Sequence, residues 1–180
     1  RIRSLPLEQK VVEWNKSVSE SVEQILENIP CQPEWKVLEI GCGVGTWTVP
    51  LLDYCKNITL LDISDKMAEL TVNRLRKLNF TKVSKIVGDF QDHNLNINEK
   101  YNAIFSVRAI EYIENIPFVI SRMYNLLDSG GFVFIITKNP YGRGLIPFLR
   151  VLKAKVGFKQ PKLLGHMIHY RDLAVSLQKA

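Results

Sequence analysis

The chain has 180 residues, of which 46% are hydrophobic and 23% charged, so it is long enough for one domain with a substantial core and too short for two ordinary ones. No apolar run approaches the roughly 18 residues needed to span a bilayer, and residues 1–10 lack the apolar stretch of a signal peptide. The three cysteines show neither a CxxC pair nor zinc-ligand spacing, which favours a reducing compartment and no metal site. We therefore predict a single soluble, cytoplasmic domain over residues 1–180.

The first predicted elements are helices. Apolar residues recur at helical spacing between residues 7 and 29, which indicates one or two amphipathic helices that pack on a sheet. Residues 1–30 are therefore expected to form an N-terminal helical segment ahead of the first strand.

The nonapeptide Val37–Gly45 (VLEIGCGVG) joins an apolar strand to a loop that contains three glycines. Glycine lets the backbone turn sharply and approach a ligand closely. The following run Thr46–Leu52 predicts a helix whose N-terminus directs free N–H groups back at that ligand. This combination is typical of a nucleotide-cofactor site.

Glu39 lies just before the glycine loop and discriminates between cofactors. The dinucleotide fingerprint requires a third glycine where this chain has Thr46, and it binds a pyrophosphate that a carboxylate would repel. A carboxylate two residues before Gly41 suits a ligand that carries positive charge. The sequence therefore favours a cationic cofactor over NAD.

Strands and helices alternate through residue 137. Ile58–Asp62 predicts a second strand that ends in an acid 21 residues after Gly41, about the separation at which a carboxylate meets ribose hydroxyls in a βαβ unit. Ser64 then caps a predicted helix. Further strands are predicted at 86–90, 101–106 and, after a turn at 126–131, at 132–137. The pattern predicts a doubly wound, mostly parallel α/β sheet with helices on both faces and its ligand at the carboxyl ends of the strands.

Four motifs in this order resemble the class I, Rossmann-like S-adenosylmethionine-dependent methyltransferases, in particular their small-molecule, type 11-like branch. The motifs are the acid and glycines of Val37–Gly45, Asp62, the pair Gly88-Asp89, and the L-x-x-G-G turn before the fifth strand. The resemblance covers residues 36–137, a little over half the chain. It implies S-adenosylmethionine as the cofactor. It also implies that the last strands of the family's sheet are missing from this chain, which would leave the fifth strand at an open edge.

The resemblance further implies which residues hold the cofactor. Asp62 would bind the ribose, Asp89 would accept a hydrogen bond from the exocyclic amine of adenine, and Ile63 and Met67 would lie near the adenine. In the family an N-terminal helix often covers the cofactor, so residues 1–30 would form a lid, with Trp14 as a pocket wall or a core residue. The implied cofactor-binding set is Glu39, Gly41, Cys42, Gly43, Gly45, Asp62, Ile63, Met67, Asp89, Phe90 and Ser106.

Positive charge is concentrated at the end of the chain. Residues 1–137 carry 15 Lys and Arg against 17 Asp and Glu, whereas residues 138–180 carry 9 against 1. This basic substrate-side segment is either a solvated surface helix or, over residues 141–159, a lid that recruits an anionic or lipid-linked acceptor or contacts an anionic membrane surface. Nucleic acid is not the expected partner, because apolar residues outnumber the charges and no stacking platform is present. The cations interleaved with apolar residues are Arg143, Arg150, Lys153 and Lys155.

Candidate catalytic residues follow the fourth strand or lie in the basic segment. Many relatives carry a Glu-His pair after that strand where this chain has Glu111-Tyr112, which directs attention to Tyr112 and the nearby Arg108; packing or surface roles are the alternative. His166 and His169 are candidate general bases, although positioning alone can accelerate methyl transfer strongly. Two histidines without a third ligand do not make a metal site.

The predicted activity is methyl transfer from S-adenosylmethionine to O, N or C of a small or lipid-linked acceptor. Two alternatives stay open: an RNA or protein methyltransferase, and a cofactor-binding interaction module without turnover. Residues 106–109 (SVRA) lack the N/D-P-P-Y/F motif of adenine-specific and some protein N-methyltransferases, which argues against those subclasses alone. The expected location is cytoplasmic, with peripheral membrane contact if the basic segment binds lipid.

Overall fold

A computed structural model describes residues 34–138 without a break, the backbone of residues 145 and 146, and ten helical residues between 15 and 27, namely 15, 16, 18–20, 22–24, 26 and 27. We call the last group α1. Several predicted features lie outside the described residues, and the predicted lid over 141–159 has only residues 145 and 146 among them. The individual residues outside are Trp14, Arg143, Arg150, Lys153, Lys155, His166 and His169.

The described strands are β1 (Lys36–Ile40), β2 (Asn57–Asp62), β3 (Val83–Val87), β4 (Tyr101–Val107), β5 (Leu127–Lys138) and β6 (Leu145–Ile146). They form one doubly wound sheet in the order β3-β2-β1-β4-β5-β6. Strands β1 to β5 are parallel, and β6 runs antiparallel to β5. The strand order reverses between β1 and β4, which places a crevice at their carboxyl ends. The predicted fold class is confirmed.

Helices cover both faces of the sheet. On one face α1 and α2 (Asp65–Lys77) bury apolar side chains against the strands, and on the other face α3 (Ile116–Leu126) does so. The described part of α1 thus packs on the sheet as predicted. None of the helices that the structure describes is long and apolar enough to cross a bilayer. The buried helical residues include Val18, Val22 and Leu26 of α1, Ala68, Val72 and Leu75 of α2, and Val119, Ile120 and Met123 of α3.

Local sequence determines where α2 and α3 begin. Ser64 precedes α2, and its hydroxyl accepts a hydrogen bond from the Met67 N–H at 3.4 Å, so the predicted cap is confirmed. Asn115 precedes α3 in the same way and accepts from the Phe118 N–H at 3.2 Å. Basic residues in the last turn of α2 also complement the helix dipole.

The helix predicted over Thr46–Leu52 is wrong. Turns occupy residues 43–48, and a short 3₁₀ helix follows at Val49–Asp53. Thr46, Thr48 and Val49 are β-branched and disfavour an α-helix. The segment is also far shorter than an isolated α-helix needs for stability.

The third and fifth strands differ in their bounds from the prediction. Strand β3 ends at Val87 rather than at residue 90. Its first residues are partly exposed, because β3 is an edge strand, so its beginning carries no clear apolar signal. The predicted turn at 126–131 lies mostly within β5, where residues 128–131 bulge out opposite Asn102 alone. Strand β6 pairs with the last two residues of β5, so this end of β5 is not an open edge.

We expect Leu60, one of two buried leucines in β2, to contribute strongly to stability. Leu60 is 0% exposed, so Leu60→Ala should lower the free energy of unfolding by about 2–5 kcal/mol. Leu78→Ala is the matched control, because Leu78 is 51% exposed and its truncation should cost less than about 0.5 kcal/mol. Denaturant unfolding of both variants measures the difference, and equal losses would contradict the described core.

Candidate functional site

A cleft of about 310 Å³ opens at the carboxyl ends of the central strands. Its size falls within the range of roughly 300–1,000 Å³ that small-molecule sites occupy, and it lies at the switch point between β1 and β4. It brings together seven of the residues predicted for the site: Gly41, Asp62, Ile63, Asp89, Phe90, Arg108 and Tyr112. The other lining residues are Ile40, Leu61, Gly88, Gln91, Ala109 and Ile113.

Backbone geometry explains two of the glycines. Gly41 has φ +78°, and a Cβ at this position would lie 2.3 Å from the Cβ of Ala109, so only glycine lets the loop approach the segment after β4. Gly43 has φ +53°, and a Cβ there would meet no atom of the described residues within 4 Å. The loop therefore packs tightly at Gly41 and leaves open space at Gly43.

Asp62 holds the glycine loop against β2. Its Oδ2 accepts a hydrogen bond from the Gly43 N–H at 2.8 Å, and its Oδ1 accepts from the Ser64 N–H at 2.9 Å. The Gly41 N–H donates to the Leu61 carbonyl at 2.7 Å beside it. A carboxylate offers about four acceptor positions, so Asp62 can hold the loop and still accept from two ligand hydroxyls.

Helix α2 supports the same loop from its other side. The Thr71 hydroxyl donates to the Gly43 carbonyl at 2.8 Å, and Arg74 Nη1 donates to the Val44 carbonyl at 3.3 Å. A Cβ on Gly45 would lie 2.8 Å from Thr71 Cγ2, so the loop also packs closely against this helix. Sequence reasoning did not identify Thr71, because its contact depends on how α2 lies across the loop.

Glu39 points away from the cleft. Its side chain is 1% exposed and its Oε2 accepts a hydrogen bond from the Thr48 hydroxyl at 2.6 Å. Burial raises the pKa of Glu39 to about 8; the bond from Thr48 opposes this shift and the charge of Asp62 adds to it. At pH 7 the carboxyl is mostly protonated, so the expected repulsion of a pyrophosphate does not apply to this state. Its predicted contact with the cofactor stays a prediction.

Five other predicted cofactor residues do not line the cleft: Gly43 and Gly45 of the glycine loop, and Cys42, Met67 and Ser106. Cys42 is buried with Sγ 3.9 Å from Asp62 Oδ2, and burial raises the pKa of its thiol to about 12, which leaves it neutral and unreactive. Met67 is partly exposed on α2. Ser106 is fully buried, and its hydroxyl has no hydrogen-bond partner among the described residues.

The segment after β3 forms one wall of the cleft. Asp89 Oδ1 accepts from the Gln91 N–H at 2.8 Å, which fixes the turn that follows the strand. Gln91 Oε1 in turn accepts from the N–H groups of Glu114 at 2.7 Å and Asn115 at 3.0 Å, at the start of α3. Gln91 was not predicted for the site, since no sequence signal marks a glutamine that reaches a helix 23 residues later.

Arg108 lies in a strained backbone at the opposite wall. Its φ is +64°, which is uncommon for a residue with a side chain, and its N–H donates to the Ile136 carbonyl at 2.7 Å. Its guanidinium pairs with Glu111 Oε1 at 2.9 Å, and Glu111 Oε2 accepts from the Thr137 hydroxyl at 3.1 Å. This network ties the short 3₁₀ helix Ile110–Tyr112 to β5. Tyr112 stands at the rim of the cleft, 75% exposed.

Within the described residues, no group of three or more His, Cys, Asp or Glu side chains is placed to hold a metal ion.

Comparison with known proteins gives one family. A sequence profile described as "Methyltransferase domain" matches residues 38–133. The chain is 36% identical over 103 residues to malonyl-[acyl-carrier protein] O-methyltransferase 1 of Ilyobacter polytropus, and the match covers 54% of this chain and 36% of that relative. The chain spans between 29% and 49% of the length of the first curated relatives that it matches.

Solved structures show the same fold. The N-methyltransferase NodS from Bradyrhizobium japonicum, in complex with S-adenosyl-L-homocysteine, superposes with a TM-score of 0.59 at 19% identity, over 70% of this chain and 62% of NodS. Coclaurine N-methyltransferase bound to N-methylheliamine and S-adenosylhomocysteine gives a TM-score of 0.58 at 20% identity, over 67% of this chain and 36% of that enzyme.

The buried Glu39 predicts a pH dependence of stability. Because the folded-state pKa is raised from 4.5 to about 8, neutral Glu39 stabilises the fold at low pH, and this contribution is lost as the pH rises through 8. The stability of wild type relative to Glu39→Gln should therefore fall by on the order of 1 kcal/mol per pH unit between about pH 5 and pH 8. Denaturant unfolding across this range is the measurement.

Glu34→Gln is the control for this experiment. Glu34 is an exposed carboxylate whose pKa is lowered by its hydrogen bond to Lys56, so it is ionised throughout that pH range. Its stability difference from wild type should stay constant. A flat Glu39→Gln difference would show that Glu39 is ionised in the fold.

Proposed function

Because this chain belongs to the methyltransferase domain family, we propose that it transfers a methyl group from S-adenosylmethionine to an O, N or C atom of a small-molecule acceptor. The resemblance to class I S-adenosylmethionine-dependent methyltransferases is confirmed at the level of the family and the fold. The type 11-like branch stays a prediction. The assignment of residues 36–137 as the cofactor-binding core and the lid role of residues 1–30 are part of the proposal.

One observation carries this proposal: the position of the Asp62 carboxylate at the end of β2, beside open space at Gly43. The carboxylate is already oriented by two backbone N–H groups, so it needs no rearrangement to accept from a pair of hydroxyls. The cleft that Asp62 lines is also lined by Ile63, which is 72% exposed and offers an apolar surface for an aromatic base. A nucleoside with a free ribose diol fits both features.

The remaining lining residues divide into two groups by position. Gly88, Asp89 and Gln91 stand beside Ile63, which supports the predicted hydrogen bond from an adenine amine to Asp89. Arg108 and Tyr112 follow β4, and they are proposed to face the acceptor. The cleft thus has a nucleoside side and an acceptor side.

A bound sulfonium cofactor supplies an activated methyl group, whose in-line transfer depends on alignment more than on acid or base. The protein's own contribution is therefore positioning. The Arg108–Glu111–Thr137 network fixes the segment that carries Tyr112, so this tyrosine can orient the acceptor at the rim. His166 and His169 stay proposed general bases, and both lie outside the described residues.

The acceptor class is proposed from the relatives and from charge. The relatives' names include an O-methyltransferase of a malonyl-[acyl-carrier protein] and an N-methyltransferase, which supports a small acceptor group and leaves O and N open. The nine cations of residues 138–180 support the finer proposal of an anionic or lipid-linked acceptor, and of contact with an anionic membrane surface.

The cofactor is tested by binding. Calorimetric titration should show that the protein binds S-adenosylhomocysteine and not NAD. Asp62→Asn should weaken that binding by about 1.5–3 kcal/mol, because a charged acceptor for the ribose is lost. Asp65→Asn is the matched control, since Asp65 lies three residues away on α2 and pairs with Lys85 outside the cleft.

Two results would contradict the cofactor proposal. Binding of NAD without binding of S-adenosylhomocysteine would overturn the activity. Unchanged affinity in Asp62→Asn would assign the ribose to another residue.

The acceptor is tested by transfer of label. Incubation of the protein with methyl-labelled S-adenosylmethionine and a fractionated cell extract should label the small-molecule or lipid fraction. Label in RNA or protein would instead favour the alternative acceptors. A cofactor that binds without any transfer, in every fraction, would favour the interaction module.

A further inference from the structure

The loop after β3 builds four of the thirteen residues that line the cleft, Gly88 to Gln91. No regular secondary structure occurs between Gly88 and Lys100, so strand and helix hydrogen bonds do not fix this wall. Its internal backbone bonds are two turns, from the Asp92 N–H to the Asp89 carbonyl at 2.9 Å and from the Leu95 N–H to the Asp92 carbonyl at 3.2 Å. The shape of the wall therefore depends on contacts from elsewhere in the fold.

Arg122 of α3 supplies those contacts. Its Nη1 donates to the Phe90 carbonyl at 3.0 Å and to the Asp92 carbonyl at 2.6 Å, and its Nη2 donates to the Leu95 carbonyl. The planar guanidinium, with five N–H donors in a fixed arrangement, can serve three carbonyls at once, which a lysine ammonium on a flexible stem matches poorly. One side chain thus binds three points along the loop of residues 88–95.

The guanidinium is itself held in place by aromatic rings. It lies 4.9 Å from the centre of the Phe90 ring and 5.9 Å from that of Phe118, a cation–π arrangement with one ring from the loop and one from α3. The Phe90 ring is 3% exposed and belongs to the core beneath the cleft. Arg122 therefore joins the loop to the core by both its backbone and its side chain.

Arg122 does not line the cleft. It contacts the backbone carbonyl of Phe90, which lines the cleft, and those of Asp92 and Leu95, which follow in the same loop. A change at Arg122 would therefore act on a ligand only through this loop.

We propose that Arg122 is a positioning residue for the cofactor, which fixes the loop of residues 88–95 in the conformation that receives the adenine. This inference rests on the proposed function, because it takes the nucleoside side of the cleft as the cofactor site. If only a fraction of molecules has the loop in the binding-competent conformation, the apparent affinity falls by that fraction.

The test compares Arg122→Lys and Arg122→Gln with Arg76→Lys, an exposed arginine of α2, as the matched control. Hydrogen exchange of the unliganded proteins should show amides of residues 88–95 exchanging at least about tenfold faster in both Arg122 variants, while β1 and β2 keep their protection. Titration should show binding of S-adenosylhomocysteine weakened by about tenfold to a hundredfold. Binding is measured well below each variant's unfolding midpoint, so that loss of folded protein does not contribute.

A second ligand tests whether the lost affinity lies on the adenosine side of the cleft. Methylthioadenosine shares the adenosine part of the cofactor and lacks its amino-acid part, so its affinity should fall by the same factor as that of S-adenosylhomocysteine. Unchanged affinity for both ligands, or weaker binding with unchanged exchange of residues 88–95, would overturn the proposal. If wild type binds neither ligand, the proposed function fails and with it the role toward the cofactor, while exchange still decides whether Arg122 holds the loop.

Discussion

The hydrogen bonds that converge on Asp62 are the constraint on which the site depends. The carboxylate stands at the end of β2 and accepts from Gly43 of the glycine loop and from Ser64 at the start of α2. It therefore fixes the exit of β1 and the entry to α2 at once. Thr71 of the same helix donates to the Gly43 carbonyl, so the backbone N–H and the carbonyl of Gly43 are both bound to protein. Because this acceptor is already oriented before a ligand binds, binding costs less conformational entropy.

Successive side chains of β1 point to opposite faces of the sheet, and this alternation decides where Glu39 lies. Leu38 and Ile40 face the core beneath the cleft, so Glu39 faces the opposite layer, where Thr48 is its hydrogen-bond partner. The two acids near the glycine loop consequently differ in role. Asp62 lines the cleft, whereas Glu39 is buried and mostly neutral at pH 7, and it binds the chain just after the loop. Glu39 acts on the site by anchoring this segment.

Long-range contacts hold the irregular walls of the cleft. Arg122 and Gln91 connect the loop after β3 with α3, and the Arg108–Glu111–Thr137 network connects the segment after β4 with β5. In both cases polar side chains join a loop or a short 3₁₀ helix to a longer element of the fold. The central strands form a rigid frame, and these few contacts set the shape of the site between them.

Local sequence was enough to predict the order of the central elements, the glycine loop, Asp62 at the end of β2 and the cap at Ser64, because each depends on residues close together in the chain. The start of β3 at an exposed edge and the bulge of β5 were not predicted, since pairing and packing override local preference there. The 3₁₀ helix after the glycine loop was also missed, because a short run rich in β-branched residues does not sustain the predicted α-helix. The roles of Thr71, Gln91 and Arg122 were decided by the tertiary structure alone. Their partners lie 23 to 32 residues away in sequence, and only the packing of α2 and α3 on the sheet brings the two sides together.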